Sequence, residues 1–186
     1  MKPFIIYDFN IKYKLYESYR KAALLMNLEK LFNLQKELDS RILKEHNLDN
    51  EILFSQKALA LQVEVGELAN ETRCFKYWSN KGSSPDENIL EEFVDCLHFI
   101  LSIGLDKNFA HIELTAANYG DKITEQFLDL FIDINDFLIC SSIDHYITLF
   151  EDFLSLGLNL GFTESQIEEG YFKKNLINHE RQNTGY

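Results

Sequence analysis

Proline and glycine are scarce in this chain, 2 and 8 among 186 residues. A fold of many short strands needs such residues at its turns, so an all-β class is excluded and a mainly helical chain is expected. Cysteine is sparser than glycine. Cys74, Cys96 and Cys140 are widely spaced, odd in number and without a C-x-x-C pair, which argues against a disulfide framework and for a reducing, cytoplasmic compartment. No run of about 18 apolar residues occurs, so no transmembrane span is expected. The opening MKPFIIYDFNIKYK has neither the apolar core nor the small-residue cleavage site of a signal peptide. Positive charge is the last deficit: 18 Lys and Arg against 30 Asp and Glu, a net charge of −12. A nucleic-acid protein usually presents a basic footprint, so polyanion binding is excluded. A small anionic ligand is still allowed, provided local Lys or Arg, or a bound metal, offsets the overall field.

What remains is a chain with 46% hydrophobic and 26% charged residues, the balance of one globular domain with a sizeable core. Residues 1–25 are rich in Tyr, Phe and Lys and show no clear period until about Tyr16. They are expected to be an extension that the domain at 26–186 does not need, or an upstream misassigned start. From Met26 the pattern changes. Asn27 caps a helix with Glu29 in its first turn, and Leu28, Leu31, Phe32, Leu38 and Ile42 recur at the spacing of one helical face. A second helix should start near Asp49 or Asn50 and run to about Trp78. After SNKGSSPDE, Ser84 with Pro85 and Glu87 predicts a capped start for a third helix reaching about Leu105. A connector near 107–120 precedes helices at about 124–141 and 143–160. Gly161 ends the latter, and Thr163 with Gln166 opens a last helix. The fold class is all-α, a helical bundle.

The acids of the second and third helices stand out. Glu64, Glu67 and Glu71 lie at i, i+3 and i+7, within one sector of roughly 60°. Leu53, Ala60, Leu61, Leu68 and Phe75 share or adjoin that sector, so these acids sit inside the apolar stripe. Glu92 and Asp95 belong to EEFVDCLHFILSIGL, apolar on almost every other face and therefore expected inside the protein. Two inward pairs of acids would form a buried cluster of like charge. They could take up protons, be neutralised by Lys or Arg, or bind a hard divalent cation, for which an all-oxygen set favours Mg²⁺ or Mn²⁺ over zinc. The plainer reading is a set of partly exposed acids at the rim of a core.

The spacing Glu64-x-x-Glu67, 24 residues, Glu92-x-x-Asp95 resembles the metal motif of the all-α NTP pyrophosphatases, the MazG-like superfamily. The segments LFNLQKELDSRI, QVEVGELANETRCFKYW, LEEFVDCLHFILSIGL and KNLINHERQNTGY are similar to the dimeric dUTPase branch, in the family's order from Met26 to Tyr186. This resemblance implies a Mg²⁺-dependent enzyme that converts dUTP, and dUDP, to dUMP. Glu64, Glu67, Glu92 and Asp95 would be the metal ligands and catalytic acids, with Glu64 orienting the attacking water. Lys174, Asn178 and Arg181, on one face of the last helix, would meet the phosphates (Lys174, Arg181) and the nucleoside (Asn178). Gln35, Lys76, Trp78, His98 and Phe99 match substrate-binding positions, while Asp39 stands where some relatives have Asn. A homodimer is implied as well. Other readings are a pyrophosphatase for another nucleotide such as dCTP, or a non-catalytic helical protein that binds a partner. A di-iron bundle would need Glu-x-x-His pairs on two helices, and the second helix has no histidine.

Overall fold

The computed structural model describes residues 22–23, 26–48, 50–116, 120 and 122–184. In chain order these form β1 (Ala22–Ala23), α1 (Leu28–His46), α2 (Asn50–Thr72), α3 (Asp86–Asp106), β2 (Thr115–Ala116), α4 (Ile123–Ile139), α5 (Ile143–Asn159) and α6 (Glu164–Asn183). The all-α bundle is the observed architecture, and the two short strands pair antiparallel, Ala22 opposite Ala116. The expected extension at 1–25 lies outside the described residues apart from Ala22 and Ala23, as does the helix start at Asp49.

Local chemistry explains most helix ends. The Asn27 side chain accepts from the Lys30 N–H, and the Asn27 N–H donates to Glu168 Oε1 at 2.7 Å, tying the start of α1 to α6. Thr163 and Gln166 form the reciprocal capping box at the start of α6. Two expectations fail around the 73–85 loop. Helix α2 stops at Thr72, not near Trp78, because Arg73 turns into the left-handed region (φ 57°). Its guanidinium then holds the loop through Ser79 Oγ and the Lys81 carbonyl. Ser84 does not cap α3. Pro85 occupies the cap position with no side-chain cap bond, while the Ser84 N–H donates to the Glu71 carbonyl at 2.9 Å. Ser84 therefore closes the end of α2 instead of opening α3.

Helix α3 runs through the middle of the bundle. Phe93, Val94, Cys96, Leu97, Ile100 and Leu101 are all buried along it, surrounded by apolar side chains of α1, α2, α5 and α6. Phe93 stacks on Phe153 of α5 with ring centroids 4.1 Å apart. The Tyr146 hydroxyl donates to the Ile100 carbonyl and occupies the space a Cβ at Gly104 would need, so glycine is required there. A polar side chain on such a helix is held in place by packing on nearly every side. No helix among the described residues is long and apolar enough to cross a membrane.

Candidate functional site

Helices α2 and α3 bring Glu64, Glu67 and Glu92 together, with one carboxylate oxygen of each inside a group whose atoms lie within 4.8 Å of one another. The neighbours Leu61, Val65, Leu68, Phe93 and Cys96 are buried and anchor both helices, which fixes where these acids project. The cluster is less enclosed than its sequence setting implies. Glu64 and Glu92 are half-buried and Glu67 is exposed, because the apolar stripes meet beside the acids and leave them at the edge of a cleft. Crowding is still evident. Burial, then the charges of Asp95, Glu67 and Glu92, push the Glu64 carboxyl up to about 7. Glu92 is raised by burial and by Asp95 and Glu67.

Asp95 takes a different part from the other three. Its Oδ2 accepts from Lys174 Nζ at 2.6 Å, and the same ammonium donates to Glu91 Oε1 at 2.9 Å. Burial opposes the charge of Lys174, but these hydrogen bonds outweigh it and leave its pKa raised. The Lys174 bond holds Glu91 below its ordinary value. For Asp95, burial prevails over the same bond, and its pKa is raised. Lys174 thus supplies a local cation from α6, as the net charge requires.

Beside the acids is a cavity of about 400 Å³ between α1, α2, α3 and α6. Glu64 and Asp95 form one wall; Gln35, His98, Phe99, Asn178 and Arg181 line the rest. Arg181 Nη1 donates to Asn178 Oδ1 at 3.4 Å. A wider cleft of about 680 Å³ between α1 and the end of α3 shares Asp39 with it but contains none of the four acids. The smaller cavity is the candidate site, since of these two it is the one that Glu64, Asp95 and Arg181 line beside apolar side chains.

A buried hydrogen-bond network shapes the floor. Gln35 Nε2 donates to Asp39 Oδ1 at 2.7 Å, and the Ser102 hydroxyl donates to Asp39 Oδ2 at 2.6 Å. Asp39 is also 3.7 Å from Lys57, which bonds Asp106 at 2.7 Å, and burial raises its carboxyl pKa. Gln35 Oε1 accepts from the Tyr171 hydroxyl at 2.9 Å and lies 2.8 Å from His98 Nδ1. An amide oxygen only accepts, so Nδ1 carries the His98 proton. Burial, then Lys174, lowers the His98 pKa to about 3, and the ring is neutral. Its Nε2 is therefore a bare acceptor, buried and without a partner among the described residues. Such a group is costly unless something donates to it.

Two of the twelve expected site residues stand apart. Trp78 is 65% exposed and packs edge-on against Phe75 and Tyr77 on the stretch after α2. Lys76 lies over the Phe75 ring at 5.4 Å. Neither lines the cavity. Three residues that sequence reasoning missed take part: Glu91, Ser102 and Tyr171. Tyr171 had a usable signal, since it precedes Lys174 by three positions and Asn178 by seven, on the same helical face. No curated protein matches the chain. The family comparison does find a match: residues 27–186, all of the bundle from the α1 cap onward, fit the dUTPase family, so this chain belongs to the dUTPase family and is a nucleotide pyrophosphohydrolase.

Proposed function

We propose that the chain converts dUTP and water to dUMP and pyrophosphate, accepts dUDP as well, and does so with a divalent cation held by Glu64, Glu67, Glu92 and Asp95. The observation that carries this reading is the meeting of three carboxylates from α2 and α3 beside a cavity lined by Gln35, His98 and Asn178. Oxygen donors without His or Cys suit Mg²⁺ best, with Mn²⁺ a close fit. When bound, the cation offsets the phosphate charge and polarises the phosphoryl oxygens.

The chain's own residues do the rest. Glu64 takes a proton from the attacking water as its oxygen bonds to phosphorus and the bridging P–O bond breaks, with pyrophosphate leaving. Lys174 and Arg181 hold the phosphates against the −12 field. Lys174 is already among the acids, at 2.6 Å from Asp95, so substrate phosphate exchanges with a carboxylate for the same ammonium. Gln35, His98, Phe99 and Asn178 receive the deoxynucleoside. The chain acts as a homodimer.

Pyrophosphate release from each dNTP tests this directly. With Mg²⁺, dUTP should be the fastest substrate, and chelation should stop the reaction. Release that ignores chelation would overturn the metal reading; no release from dUTP would overturn the substrate.

Residues 26–186 are proposed to be the whole catalytic unit. A chain beginning at Met26 loses the pairing of Ala22–Ala23 with Thr115–Ala116, a few backbone bonds worth about 1 kcal/mol each. It should melt somewhat lower yet keep kcat within about threefold of the full chain, less than the tenfold that 1.4 kcal/mol would produce. Failure to fold or turn over would make the N-terminal segment integral.

A further inference from the structure

Two pairs of polar side chains face each other across the floor of the candidate site. Gln35 and Asp39 lie one turn apart on α1, and His98 and Ser102 one turn apart on α3. The contacts between them, Gln35 with His98 and Asp39 with Ser102, each join residues 63 positions apart, so the two helices run parallel here with the pairs in register. Tyr171 of α6 joins the group through Gln35. Gln35, His98, Ser102 and Tyr171 are buried, so donors and acceptors have to be matched within the group.

Only one member of the group works in a single direction. A hydroxyl both donates and accepts, a neutral imidazole has one nitrogen of each kind, and an amide has a donor end and an acceptor end. An ionised carboxylate only accepts. Lys57, 3.7 Å from Asp39 Oδ2, and the hydrogen bonds from Ser102 and Gln35 favour that ionised form against the cost of burial. With Asp39 Oδ1 accepting at 2.7 Å, the Gln35 amide has to present its Nε2 there and its Oε1 to α3 and α6. Two donors are then required at Oε1, and the Tyr171 hydroxyl and His98 Nδ1 supply them. Without the carboxylate, nothing in the group fixes which way the amide lies. Tyr171 has the Leu31 carbonyl, at 3.4 Å, as a second acceptor and could receive from a reversed amide. His98 Nδ1 would then accept, and the ring proton would sit on Nε2.

We propose that Asp39 is the positioning residue that selects the His98 tautomer and, through it, the choice between uracil and cytosine. The second half rests on the reading above that His98 receives the base. A proton on Nδ1 leaves Nε2 an acceptor, which suits the N–H at N3 of uracil. The other tautomer would make Nε2 a donor, which suits the bare N3 of cytosine. Direction passes from Asp39 to Gln35 to His98, through hydrogen bonds of 2.7 and 2.8 Å, and the tautomer is set by the bond that the other ring nitrogen makes.

The test reads the ring directly. In the full chain carrying isotope-labelled histidine and free of nucleotide, nitrogen NMR should show Nδ1 protonated and Nε2 bare for the signal that His98→Phe removes. Asp39→Ala should move the proton, wholly or in part, to Nε2 and narrow the dUTP/dCTP ratio of kcat/KM about tenfold, the worth of one hydrogen bond. Ser102→Ala removes a different donor to the same carboxylate and leaves Oδ1 facing Gln35, so the tautomer should stay as it is. Should Asp39→Ala not fold, Asp39→Asn replaces it, because an amide of the same shape no longer dictates which end Gln35 presents, and the same movement of the proton is expected. A His98 proton on Nε2 in the unaltered chain, or one that stays on Nδ1 after the change at Asp39, would overturn the inference. So would an equal shift in Ser102→Ala, since the cause would then be a general loosening of the floor. A moved proton with an unchanged ratio would overturn the link to base choice. Equal kcat/KM for dUTP and dCTP in an unaltered chain protonated at Nδ1 would overturn the base reading and leave Asp39 as the residue that sets the tautomer.

Discussion

Glu92→Gln is expected to lower kcat/KM for dUTP by about 10²-fold or more, because losing one anionic ligand forfeits several kcal/mol of metal-derived stabilisation. The same change should make the metal-free protein more stable. In the absence of metal, Glu64 is pushed up from 4.5 to about 7 by burial and by Asp95, Glu67 and Glu92. Glu92 is raised for the same reasons. The folded chain therefore binds more protons than the unfolded chain between pH 4.5 and about 7. Its stability falls as pH rises through that window and stays low above it. Removing one charge relieves the repulsion. In chelator, the melting temperature of the unaltered protein should drop from pH 5 to pH 8, and the drop should be smaller for Glu92→Gln. Mg²⁺ should reverse most of the drop in the unaltered protein, since it binds the ionised cluster only in the fold. Near-normal Mg²⁺-dependent turnover by the variant would exclude Glu92 as a ligand.

The second large effect concerns the base. dUTP should exceed dCTP in kcat/KM by about 10²-fold or more, since a site built around hydrogen bonds rejects a ligand that leaves them unmade. His98 supplies the physical reason. Its Nε2 is a buried acceptor with no partner among the described residues, and the residue lines a cavity that also holds Gln35 and Asn178. Uracil offers an N–H at N3, where cytosine has another acceptor. Thymine keeps that N–H and differs by one methyl, so dTTP is refused on size alone, by about 10–200-fold. With the His98 pKa near 3, the ring remains neutral, and the dUTP/dCTP ratio should not vary between pH 6 and pH 9. Replacing His98 with Phe keeps a flat ring against Tyr171, which it now faces at 4.3 Å. It should narrow the ratio by about tenfold, the worth of one such hydrogen bond. Equal kcat/KM for dUTP and dCTP would remove the base assignment and leave the metal-dependent hydrolysis standing.

Both predictions use residues that were legible in the sequence to different degrees. Glu64, Glu67 and Glu92 were visible as acids inside apolar stripes, because helical periodicity converts spacing into direction. Their carboxylates do meet within 4.8 Å, but at the edge of a cleft, with Glu67 exposed, instead of buried inside the stripes. The bond of Lys174 to Asp95 and Glu91 joins residues 79 and 83 positions apart, and no local rule reaches so far. The exposure of Trp78 was hidden for a related reason: the second helix was expected to reach it, and a left-handed Arg73 ended that helix at Thr72. The Ser84 signal read correctly as a break but was assigned to the wrong helix, since its N–H turns back to Glu71.

The all-α class, the capped starts at Asn27 and Thr163, and the family membership follow from residues within a few positions of one another and from motif order. The sequence by itself determines these, because caps and helix faces are short-range chemistry. The tertiary structure alone decides that Asp95 answers to Lys174 and that His98 holds a bare, buried Nε2. Each of these depends on which helix packs beside which, and that is set by burial of the whole core around α3 rather than by any neighbouring residue.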